Sequence, residues 1–146
     1  MSMQVTAKMM IRKPVHEVFE AFVDPAKISQ FWWSSSSGRW EQGKTITLRY
    51  EEYNAEVEVA ITEVQVDKRI VFKWVAPGQE QIVTITLDPL DTATSTIEVT
   101  QHGWREDEEA LVQKLLDNKE GWVYVLTCLK GYLEFGVNGL RAGLVK

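Results

Sequence analysis

The strongest constraint on this fold is a helical stretch that is apolar over too wide an arc. From Lys119 to about Phe135, at about 100° per residue, Trp122, Tyr124, Val125, Leu126, Cys128, Leu129, Tyr132, Leu133 and Phe135 cover an arc of roughly 200°. Lys119, Glu120, Thr127, Lys130 and Glu134 fill the remaining side. An ordinary surface helix needs a stripe only a little wider than about 100°. This helix is therefore expected to be covered on two flanks, and a sheet curving around it is the simplest cover.

The middle of the chain supplies such a sheet. Ile46, Leu48 and Tyr50 alternate with Thr45, Thr47 and Arg49. Ala55, Val57, Val59 and Ile61 alternate with Glu56, Glu58, Ala60 and Thr62, and Val64 and Val66 then fall out of phase. A bulge near Thr62-Glu63 accounts for that slip. Ile70, Phe72 and Trp74 form the next strand. Val83, Ile85 and Leu87 follow the turn at Pro77-Gly78, and Ile97 and Val99 follow Asp88-Pro89. Short turns between strands predict antiparallel hairpins, and Thr, Glu and Lys on the other phase predict one wet face.

The ends are read the same way. Residues 3–11 predict a strand ending before Pro14, which suits the first position of a helix. Val15, Val18, Phe19 and Phe22 mark that helix's apolar face. Asp24-Pro25 predicts an N-cap and a second short helix to about Phe31, ended by the run Ser34–Ser37. Arg105 to Leu116 predicts a separate helical piece, with Glu106-Asp-Glu-Glu109 at its start and a break at Asp117-Asn118.

Composition closes off several functions. The 146 residues suit a single domain, 1–146. The net charge of −5 argues against a nucleic-acid partner, which needs a basic surface. One cysteine, Cys128, permits no intramolecular disulfide and no cysteine-built zinc site. No metal or other cofactor is expected. No signal-peptide shape or membrane span is evident, so a cytoplasmic address is expected.

The order of strand, two short helices, antiparallel sheet and long terminal helix resembles the START-like, or helix-grip, fold. Lys13-Pro-Val-His-Glu-Val-Phe-Glu-Ala-Phe22 resembles that family's first helix, and Asp24-Pro-Ala-Lys-Ile-Ser-Gln-Phe-Trp-Trp33 its second. Gly38-Arg-Trp-Glu-Gln-Gly43 is similar to the lead-in to the sheet, and His102-Gly-Trp104 to the exit from the last strand. Glu120-Gly-Trp122, Leu126 and Leu129-Lys-Gly-Tyr-Leu-Glu134 resemble the final helix. Together they look like the bacterial stand-alone branch related to the C-terminal domain of the heat-shock-protein-90 ATPase activator. The resemblance implies an α+β fold, with an antiparallel six- to seven-stranded sheet wrapped around the long helix. It implies hydrophobic or lipid-like ligands held between sheet and helix. In parts of the superfamily it implies cyclase or hydrolase chemistry on aromatic compounds, and in one branch chaperone activation, a link to stress response.

Three functions therefore stand side by side. The first is binding of a hydrophobic or aromatic small molecule without catalysis. The second is a chaperone-activator-like interaction module, and the third an enzyme acting on an aromatic or lipid-like substrate. The expected ligand-facing residues are Trp32, Trp33, Trp40, Tyr50, Val59, Phe72, Trp74, Ile85, Val99, Gln101, Trp122, Leu126 and Leu129. If these side chains meet fully they make a plain core; if they fall short they leave a cavity. Trp104 is expected outside it. The serine run between Trp33 and Trp40 reads either as a movable lid or as a loop pinned by tryptophan packing. No catalytic residues are singled out: Cys128 reads as a core thiol, and His16 and His102 share no motif with it. Val71, Val75 and Ile82 point outward by phase, a patch through which a homodimer could form.

Overall fold

The computed structural model describes residues 3–145. Strand β1 (Met3–Ile11) leads into helix α1 (Val15–Val23) and the single turn α2 (Pro25–Ile28). Then come β2 (Ser35–Ser36), β3 (Thr45–Tyr50), β4 (Ala55–Gln65), β5 (Arg69–Val75), β6 (Ile82–Pro89), β7 (Ser95–Trp104) and helix α3 (Leu111–Phe135). The seven strands form one antiparallel sheet in the order β1-β7-β6-β5-β4-β3-β2. Only β1 and β7 pair across a long excursion, and the others are neighbours in sequence. This is the expected α+β helix-grip architecture.

Alternation decides which face is buried. Ile46, Leu48, Val59, Ile61, Ile70, Phe72, Val83, Ile85, Leu87, Ile97 and Val99 pack into one core. Each such side chain contributes roughly 1.5–3 kcal/mol on burial. The β4 register slips between Ile61 and Glu63, as the change of phase predicts. A second bulge was not legible. In the β1–β7 pair Gln4 faces His102 but Met3 faces Trp104, so Gly103 is skipped. Gly103 has φ +109, and a Cβ there would lie 2.9 Å from the Glu80 carbonyl oxygen. Only glycine fits, and its bulge turns Trp104 from the outer phase to the inner one.

Pro14 stands one place ahead of the helix it was expected to begin. It is the N-cap of α1, its carbonyl accepting from the Glu17 and Val18 amides. Asp24 caps α2 as read, its carboxylate accepting from the Ala26 amide at 2.9 Å. Helix α2 is shorter than expected, and a turn carries the chain to Phe31 and Trp32. The serine run is not a loose loop. Ser35 and Ser36 pair with Arg49 and Leu48, and the Ser34 and Ser37 amides donate to the Arg49 and Thr47 carbonyls. It is the edge strand of the sheet, with every serine tied to β3.

Helix α3 is one element, not two. Arg105–Ala110 is a turn: the Glu108 carboxylate accepts from the Arg105 amide, and Ala110 is left-handed at φ 55. That left-handed residue sets the helix start at Leu111. Asp117 and Asn118 do not break the helix because their side chains go elsewhere, Asp117 to Gln113 and Asn118 to Gln101 on β7. Three residues stitch α3 along the open edge of β1. Lys119 donates to the Thr6 carbonyl, Lys130 to that of Met10, and Glu134 accepts from the Arg12 amide. These contacts cover an edge that would otherwise offer unpaired backbone groups.

Trp122, Leu126, Cys128 and Leu129 are buried, with Tyr124, Val125, Tyr132 and Leu133 packed beside them. Phe135, counted in the apolar arc, is exposed, because the helix ends there. Gly136 adopts φ +69; its amide bonds to the Tyr132 carbonyl and that of Val137 to Gly131, which reverses the chain. Residues 137–145 then fold back as a tail with a short 3-10 turn, Leu140–Ala142. Gly131 makes room for it: a Cβ there would meet Leu140 at 2.9 Å. Among the described residues no helix is long and apolar enough to cross a membrane.

Candidate binding trough between sheet and helix

The buried residues of α3 begin at Trp122, and three adjoining hollows lie along the helix between Lys114 and Val125. An open cleft of about 550 Å³ is lined by Trp33, Val57, Trp74, Gln81, Gln101, Trp104, Lys114, Asp117 and Asn118, among others. A small open groove of about 190 Å³ shares Trp33, Trp74, Asp117 and Asn118 with it and adds Trp32, Gly121, Trp122 and Val125. A more enclosed chamber of about 410 Å³ shares Trp32, Gly121 and Val125 with that groove and is lined also by Phe31, Tyr50, Tyr53, Tyr124, Arg141 and Leu144. The shared walls set the three side by side as one trough region, most polar at the cleft and most apolar at the chamber.

Of the expected ligand-facing residues, Trp32, Trp33, Tyr50, Trp74, Gln101 and Trp122 come together on this trough. The rest line none of the three hollows. Val59, Phe72, Ile85, Val99, Leu126 and Leu129 are fully buried in the packed core beyond it. Trp40 is also core, edge-on to Phe72 with ring centroids 5.2 Å apart. The physical reason is depth: alternation tells which face a residue occupies, not whether something packs over it. Trp104, expected outside, lines the cleft because of the Gly103 bulge.

A polar chain sets the trough's floor. The Trp122 indole N–H donates to Gln101 Oε1 at 2.9 Å, and Asn118 Nδ2 donates to the same oxygen at 3.0 Å. Gln101 is buried, and this oxygen has two donors, as buried polar atoms require. The rings form a continuous set: Trp32 lies 5.2 Å from Trp122 and 5.6 Å from Trp33, and Trp33 lies 5.6 Å from Tyr50.

The tail seals the far end. Arg141 is buried, with Nε donating to the Trp32 carbonyl at 2.8 Å, Nη1 to Glu52 at 2.6 Å and Nη2 to Ser34 at 3.0 Å. Its guanidinium stands 4.7 Å from the Tyr50 ring centroid. Three phenols hold tail carbonyls: Tyr50 that of Arg141, Tyr124 that of Leu140 and Tyr53 that of Leu144. Burial pushes the Tyr50 phenol up to about 12, so it stays protonated. The Arg141 guanidinium, above all, holds the Glu52 carboxylate down at about 2. Nothing local in the sequence announced this tail; Arg141 reaches Trp32 across 109 positions. Asn118, Gly121 and Val125 were more legible, since they repeat at helical spacing beside Trp122.

Besides amides, indoles and phenols the trough carries four charged groups, and each is paired: Lys114 with Glu108, Asp117 with Gln113 and Arg141 with Glu52. Cys128 is in the core, where burial pushes its thiol up, toward the less nucleophilic form. His16 is on the surface, its Nδ1 2.7 Å from Asp67 Oδ1. Among the described residues no group of three or more His, Cys, Asp or Glu could hold a metal ion.

A search of curated proteins finds no match. The protein SSP2350 from Staphylococcus saprophyticus is 46% identical; the match covers 93% of this chain and 95% of that one, with a TM-score of 0.81. The Aha1 dimer from Colwellia psychrerythraea shares the fold at 17% identity and TM-score 0.78, over 92% of this chain and 98% of that one. CalU16 from Micromonospora echinospora shares it at 19% identity and TM-score 0.72, over 90% and 74%. Residues 12–134 match the family described as Activator of Hsp90 ATPase homolog 1-like protein, which is most of the chain, and the protein belongs to that family.

Proposed function

We propose that the protein binds a hydrophobic or aromatic small molecule in the trough and performs no chemistry on it. The carrying observation is the unfilled chamber and the groove beside it, walled by Trp32, Trp33, Tyr50, Trp74 and Trp122. Such volumes suit small-molecule sites, which are concave, mostly apolar and fitted with a few fixed polar groups. The charged groups on its walls, Glu108, Lys114, Asp117 and Arg141, are each tied to another side chain, which favours holding a ligand over acid–base work on one. A single domain acting in the cytoplasm fits this reading.

A second reading is favoured by one observation. Val112, Leu116 and Val123 are 70%, 59% and 43% exposed along the outward side of α3. An apolar stripe there suits a protein partner, a chaperone or a second copy of the chain.

Native mass spectrometry of freshly purified protein tests the first reading, followed by thermal unfolding against aromatic and fatty compounds. A co-purified small molecule, or stabilisation by about 2–3 kcal/mol at a hundredfold excess over Kd, is expected. Protein that is empty and unmoved by every compound would point to the α3 surface instead.

A further inference from the structure

One wall of the chamber is held by hydrogen bonds rather than by burial. Residues 137–145 give it two lining side chains, Arg141 and Leu144. Within that segment only Arg141 is buried, while Val137, Leu140 and Val145 are exposed. Apolar burial, which holds the sheet to α3, therefore contributes little here.

The ties are polar. The Tyr50, Tyr53 and Tyr124 phenols donate to carbonyls of the segment, and Tyr124 Oη accepts from the Gly143 amide at 3.0 Å. Asn138 Nδ2 donates to Gln30 Oε1 at 3.0 Å. Arg141 adds its bonds to Trp32, Ser34 and Glu52. These groups take water in exchange when the segment lifts, so opening costs little beside parting sheet from helix.

Two features make the segment more than a loose end. Behind it lies a space of about 410 Å³ rather than packed side chains, so lifting it uncovers a hollow. At its root Gly136 ends α3 at φ +69, a backbone pivot that needs no side chain to move. Segments with few buried apolar contacts open well before the whole fold does, and the covers of binding sites are drawn from them. We infer that residues 137–145 are a lid on the chamber, hinged at Gly136 and latched by Arg141, that opens while sheet and helix stay folded and that ligand in the chamber holds closed. Its ligand dependence rests on the trough being the binding site.

Trypsin tests this, because the bond after Arg141 is cut only when that side chain has left its pocket for the protease's own. Cutting of the folded full chain at about pH 8 is followed by mass spectrometry as loss of the residues after Arg141. A free peptide corrects for trypsin's response to urea. A local opening exposes little surface, so the corrected rate is expected to stay flat between water and about 1 M urea. Glu52→Gln should raise it about fivefold, the scale of a partly exposed ion pair. If closure tightens binding, ligand favours closure by the same factor, so saturating 2-naphthol should slow the cut by about fivefold or more. A rate that climbs with urea as steeply as global unfolding, or no cut before the chain unfolds, overturns the lid. A rate unchanged by Glu52→Gln overturns the latch, and 2-naphthol that binds without slowing the cut overturns the coupling. 2-Naphthol that fails to bind while the cut stays flat in urea overturns the trough reading and leaves the lid standing.

Discussion

Trp122→Ala is expected to cost about 3–5 kcal/mol of stability, the range for removing a large buried aromatic. Trp122 is 4% exposed and packs against Trp32. Its loss also leaves Gln101 Oε1 with only the Asn118 donor, beside an enlarged hollow. Total stabilities of about 5–15 kcal/mol make this a large fraction of the whole. Urea unfolding measures it. Trp122→Phe separates the two parts, because it keeps most of the ring volume and removes only the N–H; about 1–2 kcal/mol is expected. A loss under about 1 kcal/mol for Trp122→Ala would mean that the floor of the trough is not held as described.

Arg141→Ala is expected to release the tail. Its side chain packs over Tyr50 and satisfies the Trp32 carbonyl, and the loss is expected to be about 2–3 kcal/mol. Amide hydrogen exchange should show protection lost over residues 137–145, with the strands unchanged. The pH dependence has a definite sign. Glu52 has a carboxyl depressed from 4.5 to about 2 in the folded state, so its contribution is intact above about pH 4.5. It fades as the pH falls from about 4.5 through about 2. Tail protection is therefore expected to be flat from pH 8 to pH 5 and to fall below that. Tail release on going from pH 5 to pH 8 would contradict the clamp.

Much of the fold was legible because its signals are local. The two-residue period from Ile46 to Val99 and the slip at Thr62-Glu63 follow from side chains alternating across a pleated strand. The Asp24-Pro25 cap is a contact between neighbours. Errors arose where a distant contact or one backbone angle decided the outcome. Gly103 gave no sign that it would be skipped, and that skip moved Trp104 into the cleft. Asn118 looked like a helix breaker because its usual side-chain bonds compete with the helix, whereas here its amide is taken up by Gln101. Ser34–Ser37 read as a loop, either movable or pinned by tryptophan packing, and pairing with β3 makes it an edge strand instead. Trp40, Phe72 and Leu126 show the limit for the site: the pattern put them on the inner face, and packing depth put them behind the trough.

Binding in a hollow among particular rings is tested most directly by watching those rings one by one. In a nitrogen–proton spectrum with the six indole N–H signals assigned, titration with 2-naphthol is expected to move Trp33, Trp74 and Trp122 strongly. Trp40, sealed in the core at 1% exposed, should stay in place. Movement of Trp40 with those three still, or no movement of any indole at saturating ligand, would show that sheet and helix enclose no binding space.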